Sequence, residues 1–120
     1  MNLLNNCKGM ACMSSNEEEQ CLASIGEVMS MIGGKWSFLV LGQLFNRGPH
    51  RFNQLKRSLG AVSTKSLTDI LRHLESHGII RRKVFPTVPV TVEYALTDKG
   101  ADFQKVLLAM REWRQRWGEA

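Results

Sequence analysis

Residues Ser63–Arg82 read STKSLTDILRHLESHGIIRR. Leu67, Ile70, Leu71 and Leu74 recur at the i, i+3, i+4, i+7 spacing of one helix face. Thr64, Lys65, Thr68, Asp69 and Arg72 fall on the opposite face. Ser63 is well suited to cap such a helix at its start, which predicts a helix running to about His77 and stopped by Gly78, with three cations following. Most amphipathic helices only cover a core. Whether the polar face of this one has a partner depends on its neighbours.

Immediately upstream, Phe52, Leu55 and Leu59 predict a short helix over about Phe52 to Ser58, broken by Gly60. The pair makes a helix, a tight turn and a second helix held out from the domain. Before it, Lys35 to about Asn46 is nearly all apolar in WSFLVLGQLF and is expected at the centre of the core, ended by Arg47-Gly48-Pro49. A first helix carries the stripe Leu22, Ile25, Val28, Met29 and Ile32, stopped at Gly33-Gly34. Residues 1–20 are polar and aperiodic and are expected to form a flexible arm ahead of a single domain over residues 21–120.

Downstream, Ile79 to Phe85 is a strand candidate, and Pro86-Thr87-Val88-Pro89 a turn. Thr91 to Thr97 alternates Val92, Tyr94 and Leu96 against Glu93 and Ala95, the period of a half-buried strand. One final helix is predicted from near Asp98, capped by Thr97 or Asp98. Along it Phe103, Val106, Met110, Trp113 and Trp117 step by three and four, a heptad-like seam. With Ile25, Val28 and Met29 of the first helix, this seam is the expected interface of a homodimer. The element order is that of an α+β, mainly α fold: a winged helix-turn-helix with N- and C-terminal dimerisation helices.

Charge singles out the opening stretch. The 120 residues carry a net +5, but residues 1–46 hold a net −2 and residues 84–120 are neutral. Residues 47–83 hold nine cations against Asp69 and Glu75. Such a basic block on a folded domain predicts a polyanion partner, most often nucleic acid. An α-helix about 10–12 Å across fits the major groove of double-stranded DNA, about 12 Å wide. The first turns would offer Ser63, Thr64, Lys65, Ser66 and Thr68 to base edges and phosphates.

IGGKW (Ile32–Trp36), GPHRFNQL (Gly48–Leu55), VSTKSLTDILRHLE (Val62–Glu75), GIIRRKVFPTVPVTVEYALTDKG (Gly78–Gly100) and EW (Glu112–Trp113) resemble the HxlR-type regulators, bacterial winged-helix transcription factors related in fold to the MarR group. The resemblance covers about Ile25 to Trp117. It implies a homodimer on palindromic DNA, acting in responses to toxic electrophiles, oxidants or metabolites. It makes Ser63 to Arg72 the recognition helix, sets Arg51 where the short helix meets the DNA backbone, and brings Arg82 and Lys83 to the backbone at the base of the wing. Where the family usually has a second proline and then Arg or Lys before VEY, this chain has Val90 and Thr91. Thr91 keeps a hydroxyl for a phosphate, and sequence reading is expected to lean on the helix.

Cys7, Cys12 and Cys21 all lie in the first 21 residues. An odd number argues against a structural disulfide framework, and the spacing matches no standard zinc pattern. Many relatives carry a sensing cysteine thirteen residues ahead of the tryptophan of GGKW; here Ala23 stands at that position and Cys21 lies fifteen ahead. The three are candidate sensing residues for a small electrophile or oxidant. His73 and His77 are four apart but lack the glutamate of a metalloprotease helix. His50 is expected in a turn. No phosphate loop, nucleophile elbow or paired carboxylates appear, so neither an enzyme nor a cofactor or metal is expected. No segment approaches the ~20 apolar residues of a bilayer span, and nothing resembles a secretory signal; a cytoplasmic protein without a membrane partner is expected. The alternative from another class is a winged-helix protein-interaction module whose helix never meets DNA, against which the basic block speaks.

Overall fold

The computed structural model describes residues 15–118. These residues divide into two compact units, one ending at Met31 and the other starting at Ile32. The first contributes most of helix α1 (Ser15–Ile32). The helix begins five residues earlier than the end of the expected arm, because Glu17 and Glu18 favour the positive end of the helix dipole. Leu22, Ile25, Val28 and Met29 of its apolar stripe are open to solvent, from Leu22 at 64% to Val28 at 37% exposure, whereas Ile32 is buried.

The second unit runs α2 (Lys35–Arg47), β1 (His50–Arg51), α3 (Phe52–Leu59), α4 (Thr64–Ser76), β2 (Ile80–Phe85), β3 (Thr91–Leu96), α5 (Asp98–Asp102) and α6 (Gln104–Trp117). Val40, Leu41 and Leu44 of α2 are buried, as the apolar run predicts. Leu55 of α3, Val62 of the turn, Leu67, Leu71 and Leu74 of α4, and Ile79 and Ile80 complete the core around them. Ile70 is only half-buried, so the α4 stripe narrows to three leucines.

The strands form one antiparallel sheet in the order β1-β3-β2. The hairpin pairs Ile80 with Leu96 and Phe85 with Thr91, leaving residues 86–90 as the wing tip. Strand β1 was not expected, since two residues carry no periodicity. It moves His50 from the predicted turn into the sheet opposite Tyr94, where the imidazole is buried and its Nδ1 meets the Gly48 carbonyl at 2.7 Å.

The C-terminal helix is two helices rather than one. Thr97 caps α5 by accepting from Gly100 N at 3.1 Å. Gly100 is buried directly against the Ile79 carbonyl, with no space for a Cβ. At the break, Phe103 N donates to the Gly100 carbonyl at 3.1 Å and Val106 N to the Phe103 carbonyl at 2.9 Å, both i to i+3 closures that tighten the turn. Phe103 thereby turns to Phe38 of α2, ring centroids 6.0 Å apart. Of the predicted seam, Phe103 is therefore half-buried, whereas Val106, Met110, Trp113 and Trp117 are exposed. Gly100→Ala forces a methyl into backbone, and we expect a loss of about 1–3 kcal/mol in urea denaturation; an unchanged midpoint would show that the α5 junction yields.

Candidate nucleic-acid interface

Helix α4 is built so that one face is anchored and the other is free. The Ser63 hydroxyl accepts from Ser66 N at 3.0 Å, the predicted N-cap. At the far end Gly78 adopts φ +72°, a conformation that a side chain would strain, and the chain turns into β2. Between these ends Leu67, Leu71 and Leu74 are buried, whereas Thr64, Lys65, Ser66, Asp69 and Arg72 are exposed and Thr68 is half-buried.

Several of the hydroxyls expected to meet DNA already have partners. Ser63 serves the cap, and Thr68 Oγ1 donates to the Thr64 carbonyl at 2.8 Å. Lys65 Nζ lies 3.0 Å from Asp69 Oδ2. Thr91 Oγ1 lies 3.1 Å from Thr87 Oγ1, which itself donates to the Pro89 carbonyl at 2.7 Å. Thr91 is therefore part of the fastening of the wing tip, where Val88 is 99% exposed. Thr64, Ser66 and Arg72 are left with no such partner described.

The hairpin register separates two cations that the sequence places side by side. Arg82 pairs with Tyr94, and Lys83 with Glu93. Successive strand residues point to opposite sheet faces, so Arg82 shares the face of Tyr94 and Lys83 that of Glu93. Arg51 also pairs with Glu93, from the other side. One face therefore carries the row Arg51, Glu93, Lys83, with the acid between two cations.

On the other face, Arg82 and Tyr94 border a groove of about 380 Å³ with Thr68, Leu71, Arg72 and Glu75 of α4 and Phe52 of α3. Arg72 and Arg82, ten residues apart in sequence, thus line one concave site. Tyr94, Phe52 and Glu75 were not among the expected site residues. The alternation of β3 is the signal for Tyr94, but its pairing with Arg82 depends on the size of the wing tip.

Arg51 sits ahead of α3, its backbone N–H donating to Gln54 Oε1 at 2.8 Å. His73 and His77 pack edge to face, centroids 4.6 Å apart, at the end of α4. No group of three or more metal-ligating side chains occurs among the described residues, and none of their helices is by itself long and apolar enough to cross a membrane. Cys21 is half-buried on α1; Cys7 and Cys12 lie outside the described residues.

The family model of the HxlR-like helix-turn-helix matches residues 31–120. The chain belongs to that family. HxlR-like proteins are helix-turn-helix transcriptional regulators, a non-enzymatic class, and their DNA-binding role places double-stranded DNA as the partner. An uncharacterized HTH-type transcriptional regulator of Synechocystis is 46% identical over 98 residues, which cover 82% of this chain and 72% of that protein. The reduced form of the redox regulator HypR superimposes with a TM-score of 0.74 at 33% identity, over 80% of this chain and 94% of that one. The reduced form of the transcriptional regulator YodB from Bacillus subtilis gives 0.71 at 33% identity, over 80% and 93%. HypR is also known in an oxidized form and YodB after diamide treatment. These neighbours carry the same winged helix-turn-helix.

Proposed function

We propose that the chain regulates transcription as a homodimer on a palindromic operator, with α4 in the major groove and the β2–β3 wing along the backbone. The observation that carries this reading is the convergence of Arg72 and Arg82 on one groove beside the exposed face of α4. Two guanidiniums at that position hold a phosphate while the first turns of α4 reach base edges. Thr64 and Ser66 supply hydroxyls that the cap and the intrahelical bonds do not consume, and Lys65 supplies an ammonium held by Asp69. Lys83 and Arg51, on the other sheet face, serve a separate stretch of backbone. Thr91 contributes by fixing the tip and has its hydroxyl beside Thr87.

Association follows from the apolar surface left open. Leu22, Ile25 and Met29 of α1, and Val106, Met110, Trp113 and Trp117 of α6, are all at least 40% exposed. Side chains of this size left in water favour a second copy. A thiol response is the finer reading of the regulatory input. Its support is the half-buried Cys21 on α1 and the redox regulators among the structural neighbours.

Arg72→Ala and Arg82→Ala are each expected to weaken binding to a selected operator by about 1–3 kcal/mol, with helical content unchanged. Because they share a groove, their effects in the double variant should be non-additive, whereas that of Lys83→Ala should add independently. Unchanged affinity in all the variants would remove α4 and the wing from the interface. Trp113→Glu should convert the dimer to monomer in sedimentation velocity; a monomeric wild type would overturn the dimer. Diamide should release the wild-type chain from DNA but not Cys21→Ser. Release of both to the same extent would clear Cys21 of the role.

A further inference from the structure

The turns of α4 up to Arg72 carry a single carboxylate among their exposed cations and hydroxyls, with Glu75 following in the last turn. Between Ser63 and Arg72 the one acid is Asp69, and its Oδ2 accepts from Lys65 Nζ at 3.0 Å with both side chains open to solvent. Helix stability does not account for the order of this pair. A lysine one turn ahead of its acid sets the cation near the positive end of the helix dipole and is the weaker of the two i, i+4 arrangements. A pair so exposed also adds little to folding.

Recognition accounts for it better. Facing a polyanion, a carboxylate is a uniform cost whatever the base sequence. The cost is recovered only where a base offers a donor, and in the major groove those donors are the amino groups at cytosine N4 and adenine N6. Asp69 stands one turn after Lys65 and Ser66 and one turn before Arg72, within the same exposed face. The neighbouring Thr68 hydroxyl already gives its proton to the Thr64 carbonyl.

We propose that Asp69 is a specificity-determining residue: its carboxylate accepts from the exocyclic amino group of one cytosine or adenine, and its hold on Lys65 disfavours duplexes that lack that group. This rests on the assignment of α4 as the DNA-reading helix. Where an amino group meets Asp69, it replaces Lys65 as the donor and releases the ammonium to the backbone. Where none does, Lys65 reaches a phosphate only by leaving a bare carboxylate against the DNA.

Selection from a pool of random duplexes with the full wild-type chain, Asp69→Ala and Asp69→Asn tests this, together with titration of one fixed random-sequence duplex. The wild type is expected to favour cytosine or adenine at one position, and Asp69→Ala to lose about tenfold discrimination there while keeping the others. Asp69→Ala should also bind the fixed duplex more tightly than wild type. Asp69→Asn, with both donor and acceptor, should favour adenine at that position. Identical preferences in wild type and Asp69→Ala overturn the assignment to Asp69. So does loss of preference at every position in both variants, which makes the residue structural. A wild-type chain that enriches no duplex at low salt overturns the DNA-reading role of α4 itself, a result distinguishable from the other two.

Discussion

Burial of Leu67, Leu71 and Leu74 in the core, where α4 packs on α2, is the constraint on which the rest of the second unit depends. Three leucines on one stripe fix both the rotation of α4 about its axis and its depth in the domain. Each is worth about 2–5 kcal/mol against truncation to alanine, far more than any polar contact the helix makes. The polar face is consequently presented, not folded away, and its residues are free to be chosen for chemistry. Ser63 at one end and Gly78 at the other set the length of what is presented.

Much of this was legible in the residues because local physics and tertiary packing agree. The cap at Ser63, the stop at Gly78 and the alternation of Val92, Tyr94 and Leu96 each have a cause within a few residues. The α4 boundaries and both wing strands fall within a residue or so of expectation for that reason. What escaped depends on contacts distant in sequence. Strand β1 exists only because β3 supplies its partners. The break at Phe103 arises from the approach of Gly100 to Ile79 and from the pull of Phe38 on the ring, neither of which a seam of threes and fours announces.

The same distinction governs the candidate interface. Its cations were visible as a charge excess, but their sidedness was not. Arg82 and Lys83 are neighbours in sequence and diverge in space because the register of the hairpin assigns one to Tyr94 and the other to Glu93. A one-residue slip would exchange them. Likewise, composition counted Thr68 and Thr91 as available donors, whereas the structure commits their hydroxyls to the helix backbone and the wing tip, and the Ser63 oxygen accepts at the cap. Uncommitted hydroxyl donors are thereby fewer than the sequence promised.

Thr97 has a consequence beyond capping. Its hydroxyl sits 2.5 Å from the Gly78 carbonyl and 3.1 Å from that of Ile79, its backbone N–H donates to the Ile79 carbonyl, and Lys99 Nζ donates to His77 O at 2.8 Å. The end of α4 and the start of α5 are thus bolted to one another across eighteen to twenty-two residues of chain. A joint with that many fastenings behaves as a rigid elbow. The start of α5 cannot shift against the end of α4 without losing these contacts.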